Sequence, residues 1–572
     1  MKYDPIKRIR FLVFVLIVSA AIIVARLFMI QVVRGEEFRE MAERQYVRPT
    51  PDIFSRGNIF FTEKNGNLVS AAGLKTDYHL AINPSVLRDP KMVFEKLSAV
   101  TNLDEEVFFK KAAMTEDPYE IIGKITGGDD EVEKLKEMDI RGFFLERERR
   151  RVYPSEKIAS HVLGFVSRGS DGREFAGRYG VEKQYEEVLH RDGDSVYINF
   201  FAEIFSNITR TFVGGGDEFS GDVVLSIEPT VNSALSKELA SLKEKWGGRS
   251  MGGIIIEPKT GRIIASSALP DFDPNLFSKE KDYSIFMNPI VESVFEMGST
   301  IKPLTVASGI DSGVITASST YKDEGFVILN GRRIENYDGK ARGVVDMQTA
   351  LGKSLNTGMI NIMQKMGRET FSKYMYSFGL GEKTEIDLPG ESAGLVSNLK
   401  SKYEVDYATA SFGQGIALTP ISVARALSAL GNGGLLMKPT VVDEIKYRVG
   451  AVKKTEPTVI RRVISPQTSE EVTRMLVKVV DDELLGGTVK LKNYRVAAKT
   501  GTALLNDGKG GYDKERFLHS FFGYFPAFEP RFLIFLYTVD PEGVQYASHS
   551  LSDPFFNLAR FLIGYYEIEP DR

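Results

Sequence analysis

Residues 294–305 read VFEMGSTIKPLT. Ser299 and Lys302 stand three apart, with Pro303 directly behind. Positions i and i+3 share a helix face, so the hydroxyl and the amine would project side by side. Proline lacks an N–H and is accommodated only near a helix start. The stretch therefore predicts a helix whose first turn carries Ser299, entered through the flexible Gly298. Free N–H groups and the positive end of the helix dipole meet there, which suits a developing oxyanion. Ser-x-x-Lys alone decides little. It also occurs at Ser278, Ser319 and Ser397, and a serine beginning a helix is ordinarily a cap.

Composition narrows the chemistry. The chain has 572 residues, which predicts two or three domains. A net charge of −4 gives no bulk electrostatic case for nucleic acid. There are no cysteines, so disulfides, thiol nucleophiles and cysteine-held zinc are excluded. The histidines are His79, His161, His190, His519 and His549. None pair at metal-ligand spacing, so neither a metal nor a cofactor is expected. A serine nucleophile would have few histidines to draw on, which turns attention to lysine.

The N-terminus predicts a membrane anchor. Residues 11–25, FLVFVLIVSAAIIVA, carry no charge, and the apolar segment extends to Val33. That length spans a bilayer. Lys2, Lys7, Arg8 and Arg10 precede it, which keeps residues 1–10 in the cytoplasm and sends the bulk of the chain outside. No clear small-residue cleavage site follows, favouring an uncleaved anchor over a removed signal peptide. ATP-driven chemistry is then excluded on supply grounds, and no Walker-type loop occurs.

Residues 35–48 are charged and helical in pattern. SRGNIFFTEKNGNLVSAAG (55–73) predicts two strands around an Asn65-Gly66 turn, and 75–84 a further strand. Residues 86–140 alternate short amphipathic helices with solvated acidic stretches, and 180–194 predicts one helix. The sequence changes character near 222. Residues 229–246 predict a helix, 251–268 a hairpin turning at Lys259-Thr260-Gly261, and 419–432 a capped amphipathic helix. Segments 494–505, 519–525 and 531–539 predict three adjacent antiparallel strands, with a terminal helix at 553–566 over one face. The expected fold class is α+β: an antiparallel sheet between helix layers, behind an extended mixed α/β module.

Two short elements complete the pattern. GKSLNTG (352–358) holds Ser354 and Asn356, and KTGT (499–502) ends a strand. In the order S-x-x-K, S-x-N, K-T-G, these mark penicillin-interacting serine acyltransferases. The chain resembles the class B penicillin-binding proteins, the monofunctional peptidoglycan transpeptidases. The likeness extends through RGNIFFTEKNGNLVSAA, RRVYPSEKIASHVLGFV, GVEKQYEEVL, PDFDPN, FGQGIALTPISVARALSALGNGG and HSFFGYFPA. It departs from the family's usual pattern at Met297 and Leu355. It implies a cytoplasmic tail (1–10), a transmembrane anchor (11–33), a pedestal or dimerisation-like domain (34–221) and a transpeptidase domain (222–572). The other Lys-Thr-Gly, at 259–261, sits at a hairpin turn, where glycine needs no catalytic reason.

A serine hydroxyl needs a base, and a free lysine, with a pKa of roughly 10.4, is mostly protonated at neutral pH. Burial and a neighbouring cation both lower it. The resemblance then implies that neutral Lys302 activates Ser299 against a D-alanyl-D-alanine carbonyl and that Ser354 relays a proton to the leaving amine. Asn356 would bond Lys302 and the substrate amide. Lys499, Thr500, Gly501 and Thr502 would bind the substrate carboxylate, with the N–H groups of Ser299 and Thr502 as the oxyanion hole. Peptidoglycan stem peptides are the implied substrates, and β-lactams would trap Ser299. A SEDS-family glycosyltransferase and other division proteins are the implied membrane partners. A division role is expected over an elongation role, with a β-lactam-binding sensor or hydrolase of the same fold, or a catalytically idle scaffold for wall synthesis, as the alternatives.

Overall fold

The structure is a computed structural model. It describes residues 14, 18, 19 and 26 singly, and 55–126, 129–168, 175–191, 219–509 and 511–572 as continuous stretches. The expected tail (1–10), anchor (11–33) and helix (35–48) lie outside the described residues apart from those four positions, as does all of 192–218. Among the described residues no helix is long and apolar enough to cross a membrane.

The chain forms two compact units. One contains Thr76–Glu148. There, residues Asp77 to Ile82 pair antiparallel with Glu120–Thr126. Helices Pro90–Ser98 and Glu105–Ala112 are capped by the Asp89 and Asp104 carboxylates, which satisfy N–H groups the helices cannot. They meet through Phe94, Phe108 and Phe109, whose ring centroids are 5.3–5.4 Å apart. The charged faces of these helices stay in solvent, as their sequence pattern predicts.

The second unit joins Ser55–Lys75 and Arg149–Asp192 to the remainder of the chain, through Arg572. The Asn65-Gly66 turn forms as expected between Ile59–Thr62 and the long strand Leu68–Ile82, with Gly66 at φ 84°. Buried Arg56 ties the two early segments together: its guanidinium bonds Glu182 at 2.6 Å and Glu186 at 2.8 and 2.9 Å. Arg151 bonds the same Glu182 at 2.7 Å. This cluster also explains why 180–194 is not one helix. Arg56 takes the Glu182 carbonyl at 2.7 Å, an acceptor that a continuous helix would use for its own ladder. Two short helices result, Gly180–Gln184 and Glu186–Leu189, broken at Tyr185.

The centre of this unit is a five-stranded antiparallel sheet. Its strands are β1 (Ser250–Ile256), β2 (Ile263–Leu269), β3 (Ala497–Asn506), β4 (Tyr512–Phe525) and β5 (Phe532–Val539), in spatial order β2-β1-β5-β4-β3. The three late strands are adjacent, as predicted. β5, buried on both faces, reads as a continuous apolar run, FLIFLYTV, with every residue inside. Two helices cover one face: α1 (Pro229–Trp246) through Val231, Leu235 and Leu239, and the terminal helix Ser552–Tyr565 through Phe555 and Leu562. Phe521 stacks on Phe555 at 4.5 Å. Each such fully buried aromatic contributes on the order of 1.5–3 kcal/mol by leaving water. The opposite face packs on α4 (Pro420–Gly431), with α2 (Lys302–Asp311) against α4 and α3 (Asn356–Met366) against α2. Thr419 caps α4 by accepting from Ser422 N–H, as its sequence position predicts.

Candidate active site

Ser299 lies in a 3₁₀ turn, Gly298–Ile301, that runs directly into α2, with Pro303 in the first turn of that helix. The backbone entering the turn is left-handed at Gly298, φ 59°. A side chain there would meet the Thr502 carbonyl at 2.9 Å. The turn is held from three sides. The Met297 carbonyl accepts from Ser520 at 2.8 Å and from Thr300 at 3.0 Å. Gly298 N–H donates to Gly413 O at 3.1 Å. The Glu296 carboxylate accepts from the Tyr512 hydroxyl at 2.9 Å.

Lys302 begins α2 with its side chain inward, 1% exposed. Its amine donates to Ser354 twice, to the carbonyl at 2.6 Å and to the hydroxyl at 3.1 Å. Burial, and then the charge of Lys499, hold this amine well below the ordinary lysine range. Ser354 itself is left-handed, φ 56°, a conformation that costs a non-glycine residue about 1–3 kcal/mol. That turn aims both Ser354 oxygens at one amine. Lys499 is 3% exposed on β3 and donates to Thr500 O at 3.0 Å. Burial lowers it to about 8.

Gly501 stands opposite Ser520 on β4, and a methyl group there would come within 2.6 Å of Met297 O and 2.9 Å of Thr300 N. Glycine is required for the strand to lie against the turn that carries Ser299. Thr502, opposite His519, accepts from Ala547 N–H at 3.1 Å. His519 is buried and pushed down to about 4 by that burial. It bonds Ser550 at 2.8 Å and the Gln545 carbonyl at 3.1 Å.

The structure thus gathers Lys302, Ser354 and Lys499 around one buried centre, with Ser299 one helical turn before Lys302 and Gly501 against that turn. Asn356 differs from expectation in its partner: its amide donates to Glu335 O at 2.8 Å rather than to Lys302. Sequence reading did not single out Thr300, Gly413 or Ser520. Its one signal was their place inside the quoted segments around the three motifs. Among the described residues no cluster of side chains could hold a metal ion.

Comparison with known proteins agrees with this geometry. Residues 251–559 match the family model of the penicillin-binding protein transpeptidase domain, and 54–199 that of the penicillin-binding protein dimerisation domain. The chain is 29% identical to stage V sporulation protein D of Bacillus subtilis, over 94% of this chain and 82% of that one. It is 28% identical to peptidoglycan D,D-transpeptidase MrdA of Acinetobacter baumannii, covering 87% and 78% of the two chains. Identity is also 28% with peptidoglycan D,D-transpeptidase FtsI of Escherichia coli, covering 77% and 72%. A crystal structure of penicillin-binding protein 3 of Mycobacterium tuberculosis with ampicillin superposes with a TM-score of 0.65 at 26% identity, covering 74% and 91%. With a dimerisation domain followed by this transpeptidase domain, the chain belongs to the class B penicillin-binding proteins and is a serine-type D,D-transpeptidase.

Proposed function

We propose that Ser299 carries the acyl group from D-alanyl-D-alanine of one peptidoglycan stem peptide to an amine of another. The observation that carries this is the buried pair Lys302 and Lys499, the first bonded to Ser354 and lowered by the charge of the second. Neutral Lys302 takes the proton as Ser299 Oγ bonds to the penultimate D-alanine carbonyl carbon. Ser354, bonded to Lys302, passes a proton to the departing D-alanine nitrogen as the peptide bond breaks. The N–H groups of Ser299 and Thr502 stabilise the oxyanion, each donor contributing roughly 10²–10³ in rate. Lys499, Thr500, Gly501 and Thr502 bind the substrate carboxylate. Asn356 orients the substrate amide from its Glu335 contact. The acceptor amine then displaces Ser299, returning its proton. β-Lactams enter by the same attack and remain on Ser299.

The proposed setting is the outer face of the cytoplasmic membrane, with 1–10 inside, 11–33 as anchor, 34–221 as pedestal and 222–572 as the catalytic domain. Septal synthesis beside a SEDS-family glycosyltransferase is the proposed role. The motif-bearing segments support it, while relatives named FtsI, MrdA and stage V sporulation protein D span more than one setting. The test is release of the terminal D-alanine from a stem pentapeptide donor ending in D-alanyl-D-alanine, with and without a D-amino acid acceptor. Acceptor-dependent product at the expense of hydrolysis is expected; hydrolysis unaffected by acceptor would overturn transfer in favour of a hydrolase.

A further inference from the structure

Beneath the Ser354–Asn356 turn lies a carboxylate that no step above uses. Asp323 is 1% exposed, and among the described residues no lysine or arginine side chain pairs with it; the Arg342 guanidinium turns to Asp338 instead. An ionised carboxylate is kept in such a place only when donors replace its water. Asp323 has a full set. It accepts from the Thr357 hydroxyl at 2.8 Å, the Asn336 amide at 3.0 and 3.2 Å, Gly325 N–H at 3.0 Å and Arg342 N–H at 3.1 Å.

The charge fixes which way Asn336 faces. Its NH₂ points to Asp323, so its carbonyl oxygen faces Thr357 and accepts that residue's N–H at 3.2 Å. Thr357 N–H is one of the free donors at the start of α3, where Leu355 supplies no capping side chain. Asn336 is therefore a cap delivered from another part of the chain. The residue before it, Glu335, presents the carbonyl that holds the Asn356 amide. Tyr321 closes the group, its hydroxyl 3.1 Å from Thr357 Oγ1. One buried negative charge thus orders both the backbone after Asn356 and the strand end that grips its side chain.

We propose that Asp323 is a positioning residue for acyl transfer, holding Ser354 and Asn356 in register with Lys302 through Asn336 and Thr357. The proposal rests on reading the Ser299 centre as the acylating site. Asp323→Asn keeps the shape but presents an NH₂ toward a ring of donors. Thr357→Val removes the hydroxyl, and Thr357→Ser restores it.

The test is the time course of labelling of the full chain by a fluorescent penicillin. Its amplitude reports how much protein is folded; its rate constant reports alignment within the folded fraction. Asp323→Asn and Thr357→Val should each lower the rate constant by about 10-fold or more, within the range that small misplacements produce, and Thr357→Ser should keep the wild-type rate. A wild-type rate constant in Asp323→Asn and Thr357→Val overturns the proposal, even with reduced amplitude, because a purely structural role would cost amplitude alone. If Asp323→Asn yields no folded protein, the two Thr357 variants decide. A wild-type chain that takes no label overturns the active-site reading and this inference with it; labelled wild type with unslowed variants overturns this inference alone.

Discussion

Lys259-Thr260-Gly261 turns the hairpin between β1 and β2, whereas Lys499-Thr500-Gly501 lies within β3, at the opposite edge of the same sheet. Lys259 is in solvent, its side chain 56% exposed and paired with Glu529; Lys499 is 3% exposed beside Lys302. The glycines differ just as far. Gly261 supplies a left-handed turn residue at φ 82° lying against the Lys438 carbonyl, while Gly501 lets a strand approach the Met297 carbonyl, at the turn that carries Ser299. The tripeptide carries no chemistry by itself. Burial of the lysine and contact of the glycine with the Ser299 turn make the difference.

The comparison is broken most severely at the lysines. Lys499→Ala should lower the penicillin acylation rate by about 10³-fold, the scale of losing a charged group aimed at the reacting centre, while Lys259→Ala leaves it unchanged. Equal losses in the two would erase the distinction. The glycines come next. Gly501→Ala should cost about 10² in acylation rate by displacing β3 from the Ser299 turn. Gly261→Ala should cost about 1–3 kcal/mol of stability through its strained turn, read as a lowered melting temperature with acylation by the folded protein intact.

The pH profile sharpens the contrast further. In the proposed mechanism acylation uses neutral Lys302, so its rate should rise with pH through that residue's lowered pKa. The same proposal has protonated Lys499 hold the substrate carboxylate, and with its pKa lowered to about 8 the rate should fall again above that pH. In Lys499→Arg, which stays charged, the alkaline limb should disappear; its persistence would assign that limb to another group. The smallest effect belongs to the exposed Lys259–Glu529 pair. Its removal should change stability by no more than about 1 kcal/mol, measured by urea unfolding.

Much of this site was legible because its parts are local. Ser299 and Lys302 are one helical turn apart, Pro303 marks the helix start, and the alternating and continuous apolar runs place β3, β4 and β5. The three-motif order then points to one chemistry. The supports were not legible, because they are polar contacts between distant positions with no periodicity. Ser520 meets Met297 across 223 positions, and Thr357 meets Asp323 across 34. The broken helix at Tyr185 was hidden for the same reason: its competing donor, Arg56, lies 126 residues earlier. Asn356 stood out in the sequence through its motif, but its Glu335 contact did not, since a backbone carbonyl leaves no mark in the sequence.

The central claim is that Ser299 is the nucleophile, activated by Lys302. Incubating the full chain with benzylpenicillin, then measuring intact mass and mapping the modified peptide, tests it directly. The account predicts one long-lived penicilloyl group per chain, on the peptide containing Ser299, absent in Ser299→Ala and formed far more slowly in Lys302→Ala. An adduct on any other residue, or one that survives Ser299→Ala, would contradict it.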